Sequence, residues 1–215
     1  NRIREKQIDA SVLNTLNQRC IPGFTPSDED GYITLTTHNH QAQRINDLKM
    51  AALNTQAYTF RAEIKDNFPA YSYPTDELLV LKKGAQVMFV KNDSSPEKRY
   101  YNGKIGKITA INNNTIEVVG KEDGMRILVN REEWTNTKYT LDEETKEIVE
   151  MVEGRFSQYP LKTAWAITIH KSQGLTFERA IVDANAAFAH GQVYVALSRC
   201  KTFEGLVLSS PVTPR

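Results

Sequence analysis

Apolar residues alternate with threonine over residues 32–37, Tyr-Ile-Thr-Leu-Thr-Thr, so one face of this run is greasy and the other polar. That period predicts a β-strand. Immediately afterwards Ala42, Ile45, Leu48 and Ala52 return near the helical period, and Asn39 stands where it could cap the first turn. Strand, loop and helix in that order are the grammar of an open α/β sheet. Upstream, residues 2–19 are charged and helix-permissive, and residues 21–31, with Pro22, Gly23 and Pro26, are rich in turn signals.

From residue 79 to 159 the pattern changes. Short β-branched runs at 85–90, 105–111, 115–119 and 125–129 are separated by Asn102-Gly103, by Asn112-Asn113-Asn114 and by a turn-rich segment at 120–124. They predict a small antiparallel β-barrel or sandwich. Residues 142–153 admit a helix through Ile148, Met151 and Val152, or a hairpin, which is preferred. The α/β pattern then returns. Pro160 opens a stretch that could be helical and Gly174 breaks it; a buried strand at 179–183, a helix at 192–199 and a strand at 205–209 follow. The expected organisation is a linking helical segment (1–26), an α/β domain made of 27–80 plus 159–215, and a β domain inserted at 81–158.

Composition adds mainly exclusions. With 40% hydrophobic and 25% charged residues, the 215-residue chain reads as globular, and 27 basic against 26 acidic residues leave no global field toward a polyanion. Any nucleic-acid binding must therefore be local. Cys20 and Cys200 have no partner at metal-ligand spacing, so no metal site is expected and each reads as a small buried hydrophobe. No apolar run approaches the roughly 20 residues of a membrane span, and an intracellular, cytoplasmic location is expected.

Chemistry concentrates in residues 164–177, Ala-Trp-Ala-Ile-Thr-Ile-His-Lys-Ser-Gln-Gly-Leu-Thr-Phe. Thr168, His170, Lys171, Ser172 and Gln173 supply hydroxyl, imidazole, ammonium and amide groups, ending at Gly174, where a backbone can come close to a ligand. Such a set suits phosphate and sugar; it is also what a solvated helix end with a glycine cap would contain. The run is similar, almost residue for residue, to motif V of the superfamily-one DNA helicases of the RecD/Pif type. Residues 191–199, Gly-Gln-Val-Tyr-Val-Ala-Leu-Ser-Arg, resemble motif VI of that family. Leu35-Thr36-Thr37-His38-Asn39, followed by Ile45-Asn46, resembles its motif IV. The segments 81–89 and 102–106 resemble the Src-homology-three-like barrel which that family carries between motifs IV and V.

The resemblance implies a RecA-like (P-loop NTPase-like) second motor domain without its own P-loop. Indeed G-x-x-x-x-G-K-[ST] is nowhere in the chain, and Gly103-Lys104 and Gly106-Lys107 fall in an expected hairpin. ATP and Mg2+ would be bound mainly by an N-terminal RecA-like domain that this chain lacks, and the chain alone would be inactive as an ATPase. By the same resemblance Arg199 would be the catalytic arginine finger, because an always-charged planar fork of donors suits a departing phosphoryl group. Its alternative roles are a surface pair with Glu204 or a cap on the helix C-terminus. Gln173, Gly174, Thr176, Gln192 and Tyr194 would face nucleotide. Thr37, His38, Asn39, Thr168, His170, Lys171 and Ser172 would face single-stranded DNA. On the β unit, Lys91 and Lys104, with Lys98, Arg99 and Lys107, would meet DNA phosphates, and Tyr100 or Tyr101 could stack on bases. The expected partners are single-stranded DNA, ATP and the missing N-terminal domain, with no membrane, and the protein is expected to be monomeric. Two rival readings are a non-catalytic DNA-binding or partner-docking module and the helicase portion of a conjugative relaxase.

Overall fold

Four short strands lie parallel in the order β12-β1-β13-β14: β1 (Ile33–Thr36), β12 (Ala166–Thr168), β13 (Ala180–Asp183) and β14 (Leu206–Ser210). The structure is a computed structural model, and it describes residues 10–112, 115–141, 147–183 and 190–213. Strands covered on both faces need apolar residues throughout. Ile33, Leu35, Ala180, Val182, Leu206 and Leu208 are accordingly buried. Helix α2 (Asn39–Ala52) leaves the carboxyl end of β1 and packs back on β12 and β1.

Its contact face differs from the expected apolar stripe. Leu48 is 62% exposed, whereas the polar Asn46 is buried. Asn39 is the first helical residue and not the cap; His38 holds the N-cap position, in extended conformation, without a side-chain cap bond. Helix α1 (Ala10–Asn17) is tied to the far end of the chain by Asn17, which donates to the Val212 carbonyl at 3.1 Å and accepts the Val212 N–H at 2.8 Å. Helix α3 (His190–Leu197) buries Ala196 against the same core.

The second unit is a five-stranded antiparallel sheet in the order β11-β5-β6-β7-β8, made of β5 (Gln86–Phe89), β6 (Ile105–Ile111), β7 (Ile116–Gly120), β8 (Arg126–Val129) and β11 (Leu161–Thr163). Val87, Phe89, Ile108, Ile116, Val118, Ile127 and Val129 alternate into its core. Among the described residues no pairing joins β8 to β11, so the sheet is not closed into a barrel. Two smaller sheets flank it: β2 (Ala57–Arg61) pairs with β4 (Leu78–Lys82), and β3 (Glu63–Asp66) with β10 (Ile148–Gln158), which pairs in turn with β9 (Glu132–Leu141). The preferred hairpin is thus β9–β10; its apex, residues 142–146, lies outside the described residues, as do Asn113 and Asn114.

The stretch opened by Pro160 is not helical. It is claimed by two sheets in turn, β11 by β5 and β12 by β1, with buried Ala164-Trp165 as the link. Ala164 donates to the Gln86 carbonyl at 3.0 Å, and the Trp165 carbonyl accepts Thr34 N–H at 2.8 Å. Pairing of this kind overrides local propensity. It also crosses the expected domain boundaries, since β11 follows residue 158 yet belongs to the β5 sheet, and β4 straddles residues 80 and 81.

Candidate nucleic-acid and nucleotide interface

Strands β1 and β12 are parallel neighbours with Thr36 opposite Thr168, so the loops that leave their carboxyl ends emerge side by side. That is where ligands collect in an open α/β sheet. The Ile169 N–H donates to the Thr36 carbonyl at 2.9 Å and ties the two loops at their base. Residues 168–175 then close one tight turn: Ser172 N–H reaches the Thr168 carbonyl at 3.0 Å, Gln173 N–H the His170 carbonyl at 3.2 Å, and Leu175 N–H the Ser172 carbonyl at 3.0 Å. Gly174 ends it at φ +80°, a left-handed conformation that only glycine adopts without strain.

This turn has a structural side and a solvent side. Ser172 is fully buried and its Oγ donates to the Ile169 carbonyl at 2.7 Å, so its expected DNA contact is corrected: the hydroxyl holds the turn together. Thr168 is nearly buried. His170, Lys171, Gln173, Gly174 and Thr176 are exposed on the other side.

A cavity of about 90 Å³ opens between the start of α2 and the β11–β12 segment, and Asn39, Gln43, Lys162, Thr163, Thr168 and Lys171 line it. Two ammonium groups, three amides (Asn46 is the third) and two hydroxyls share the lining with Ala42, Met88, Ala164, Ala166 and Ile167, and no carboxylate lines it, although Lys162 Nζ also lies 3.8 Å from Asp76; the polar part of this wall can meet an anion. Asn39, Thr168 and Lys171 were legible in the sequence. Gln43, Lys162 and Thr163 were not; the only available signal was the helical spacing that puts Gln43 one turn after Asn39. Thr37 and His38 lie beside this group, with Thr37 Oγ1 at 2.8 Å from His38 Nδ1 and the His38 ring 5.4 Å from that of His40.

Arg199 sits just past α3, half-buried. Its Nε donates to the Val195 carbonyl at 3.0 Å, Nη1 to the Leu175 carbonyl at 3.1 Å and the Ser172 carbonyl at 3.4 Å, and Nη2 to Ser198 Oγ at 2.9 Å. The guanidinium therefore caps the end of α3 and clasps the turn after β12, with no role for Glu204, whose carbonyl is taken by Arg19 at 2.5 Å. Tyr194 is half-buried on the same helix. Gln192 Oε1 is buried and makes no hydrogen bond among the described residues, an unmet acceptor of a kind that folded proteins rarely leave.

Of the residues expected to face nucleotide, Gln173 and Thr176 are exposed, while the Arg199 guanidinium is engaged by the Val195, Ser172 and Leu175 carbonyls and Ser198 Oγ. No group of three or more His, Cys, Asp or Glu side chains converges among the described residues to suit Mg2+.

The β unit corrects two further expectations. Lys104 is 4% exposed and pairs with the more exposed Asp123 at 2.6 Å while donating to the Arg99 carbonyl at 3.1 Å, so its buried ammonium has no open face for a phosphate. Lys91 is held by Glu132 at 3.0 Å and the Glu133 carbonyl at 2.7 Å, over the Trp134 ring. Of their neighbours, Arg99 pairs with Asp93, Lys107 with Glu29, and Lys98 donates to the Asp93 carbonyl. Tyr100 is buried and stacked on Phe89 at 4.3 Å, whereas Tyr101 stays partly exposed and donates to Glu122 at 2.7 Å. The near-zero net charge shows here as local neutralisation.

Comparison with known proteins agrees with this architecture. No protein-family model matches the chain. The ATP-dependent DNA helicase Pif1 of Campylobacter jejuni is 34% identical over 184 residues, which is 80% of this chain and 40% of that protein. The unliganded Pif1 of a Bacteroides species superposes with a TM-score of 0.90 at 41% identity, over 99% of this chain and 48% of the other. Its complex with ADP-AlF3 and single-stranded DNA superposes at 0.70 with 40% identity, over 100% and 50%. The chain thus spans half or less of the length of each.

Fold and comparisons together define an α/β protein of the helicase class, with polar loops at the carboxyl ends of a parallel sheet. The chain belongs to the Pif1-type DNA helicases, and the region it represents is their carboxyl-terminal one.

Proposed function

We propose that this chain is the second motor half of an ATP-dependent DNA helicase: a RecA-like domain whose antiparallel sheet corresponds to the family's inserted Src-homology-three-like barrel. The observation that carries the reading is that Arg199 grips the carbonyls of Ser172 and Leu175 in the same turn whose Thr168 and Lys171 line the cationic cavity. A nucleotide-sensing cation and a strand-binding surface share one short element.

In this reading a single strand runs past Asn39, Lys162, Thr163 and Lys171, which bind its phosphates irrespective of base. Gln173, Thr176, Gln192 and Arg199 face the nucleotide held by a preceding P-loop domain. Bound there with Mg2+, ATP supplies phosphoanhydride cleavage. When Arg199 turns toward the γ-phosphate it exchanges two backbone carbonyls for anionic oxygens, which are the stronger partners. The turn it releases can then shift against the strand, and loss of the phosphate lets the clasp re-form. The homologous Bacteroides protein has been seen in complex with both ADP-AlF3 and single-stranded DNA, which supports a reading with two such ligands.

The internal bonds of Arg199 also suit the rival reading of a non-catalytic binding module. One experiment separates the two. In full-length protein carrying the P-loop half, Arg199→Ala should lower DNA-stimulated ATP turnover by about 10³-fold or more. Residues 1–215 alone should show negligible turnover. Turnover within a few-fold of wild type after Arg199→Ala would remove the finger role and leave the module.

A further inference from the structure

Two residues beyond Arg199, Lys201 joins the two units. Its Nζ lies 2.6 Å from Glu178 Oε1, in the α/β domain, and 2.9 Å from Glu122 Oε1, at the β7–β8 turn of the β unit. It also stands over the Tyr101 ring at 5.8 Å, and Tyr101 Oη donates to the second oxygen of Glu122 at 2.7 Å. The backbone around it is equally constrained, because Phe177 N–H donates to the Arg199 carbonyl at 2.7 Å and Lys201 N–H to the Phe177 carbonyl at 2.9 Å. The backbone of Arg199 and Lys201 is therefore paired with that of Phe177.

Beside this contact the units are separated by a polar cleft of about 230 Å³, lined by Thr176, Glu178 and Arg179 on one side and by Tyr101, Lys121 and Glu122 on the other. Without an ammonium between them, Glu122 and Glu178 would face each other across the cleft as like charges. The Glu178 bond pushes the Lys201 ammonium well above the usual lysine range, so it stays charged at any physiological pH.

We propose that Lys201 is a positioning residue: it fixes the β unit to the segment that carries Arg199, so that a shift of that segment during the nucleotide cycle moves the β unit with it. The proposal rests on the helicase reading above and adds a route by which turnover becomes strand separation. It does not require Lys201 to touch ATP or DNA.

The test measures base pairs separated per ATP hydrolysed, with thermal unfolding in parallel, in full-length wild type, Lys201→Met, Lys201→Arg and Glu122→Gln. In Lys201→Met, DNA-stimulated turnover should stay within about two-fold of wild type while the yield of base pairs per ATP falls roughly 2- to 30-fold. Glu122→Gln should lose part of the yield, and Lys201→Arg should keep most of it. Equal yield in Lys201→Met and wild type, or turnover and unwinding that fall together in step with a lowered melting temperature, would overturn the coupling role. A wild-type protein without DNA-stimulated turnover would overturn the helicase reading itself, and this inference with it.

Discussion

Asn46 brackets the peptide of Ala166: its Nδ2 donates to the Ala166 carbonyl at 3.0 Å, and its Oδ1 accepts the Ala166 N–H at 2.8 Å. The same oxygen takes the Trp165 N–H at 3.0 Å. β12 is the outer strand of the parallel sheet, and a side chain from α2 does for it what a further strand would do. Replacing Asn46 by Leu should leave these backbone groups stranded at about 1–3 kcal/mol each. A clear drop in the urea midpoint is expected, together with weaker single-strand binding, because β12 borders the cationic cavity. An unchanged midpoint would show that the amide is dispensable.

The basic residues divide by environment. In full-length protein, Lys171→Ala and Lys162→Ala should each weaken single-stranded DNA binding and reduce the slope of log affinity against log salt by about 0.7 to 1. Lys104→Met should leave that slope alone. It should instead destabilise the fold by about 1–3 kcal/mol, since the charge-assisted bond to Asp123 is lost from a nearly buried site. A reduced salt slope for Lys104→Met would restore it as a DNA contact.

Asp93 gives the fold an acid-sensitive point. Burial by itself would raise its carboxyl, but the Ser95 hydroxyl and N–H, with the Arg99 N–H and guanidinium, hold it down from 3.8 to about 2. A depressed folded-state value means that the stabilisation is complete above the unfolded pKa and disappears as pH falls from about 4 toward 2. The melting temperature of wild type should therefore drop more steeply over that interval than that of Asp93→Asn, whose side chain does not titrate. Parallel curves would contradict the assignment.

Two glycines should respond differently to alanine. At Gly174 a Cβ would meet nothing within 4 Å, so the cost is that of the left-handed backbone, about 1–2 kcal/mol. At Gly205 the added carbon would stand 1.9 Å from the Glu178 carbonyl oxygen, and backbone would have to move. Thermal unfolding should rank Gly205→Ala as the more damaging change; the opposite order would mean that the strand end at Gly205 yields more readily than its packing indicates.

Much of the scaffold was legible because it follows from local period. Residues 32–37 alternate and contain β1; 105–111 carry β-branched residues between turn signals and coincide with β6; 179–183 has the apolar centre Ala180-Ile181-Val182 and contains β13. The site was legible where a residue's type limits its use: an arginine after a helix, a glycine closing a polar turn, a run of donors beside it. It was illegible where use depends on what stands opposite. Lys104 and Lys171 look alike in the sequence, yet one meets Asp123 inside the β unit and the other lines an open cavity. Lys162 carries no distinguishing local pattern at all, and Gln43 only its place one helical turn after Asn39.

The strand, loop and helix order of β1 and α2, the interruption of the α/β pattern by a β unit and the position of the polar turn were determined by sequence alone, because hydrophobic period and turn chemistry act over a few residues. Tertiary structure alone decided that the segment after Pro160 is extended, that Asn46 faces inward, that Arg199 clasps Ser172 and Leu175, and that Lys201 bridges to Glu122. Each of those outcomes depends on a hydrogen-bond or charge partner distant in the chain, and no local pattern specifies such a partner.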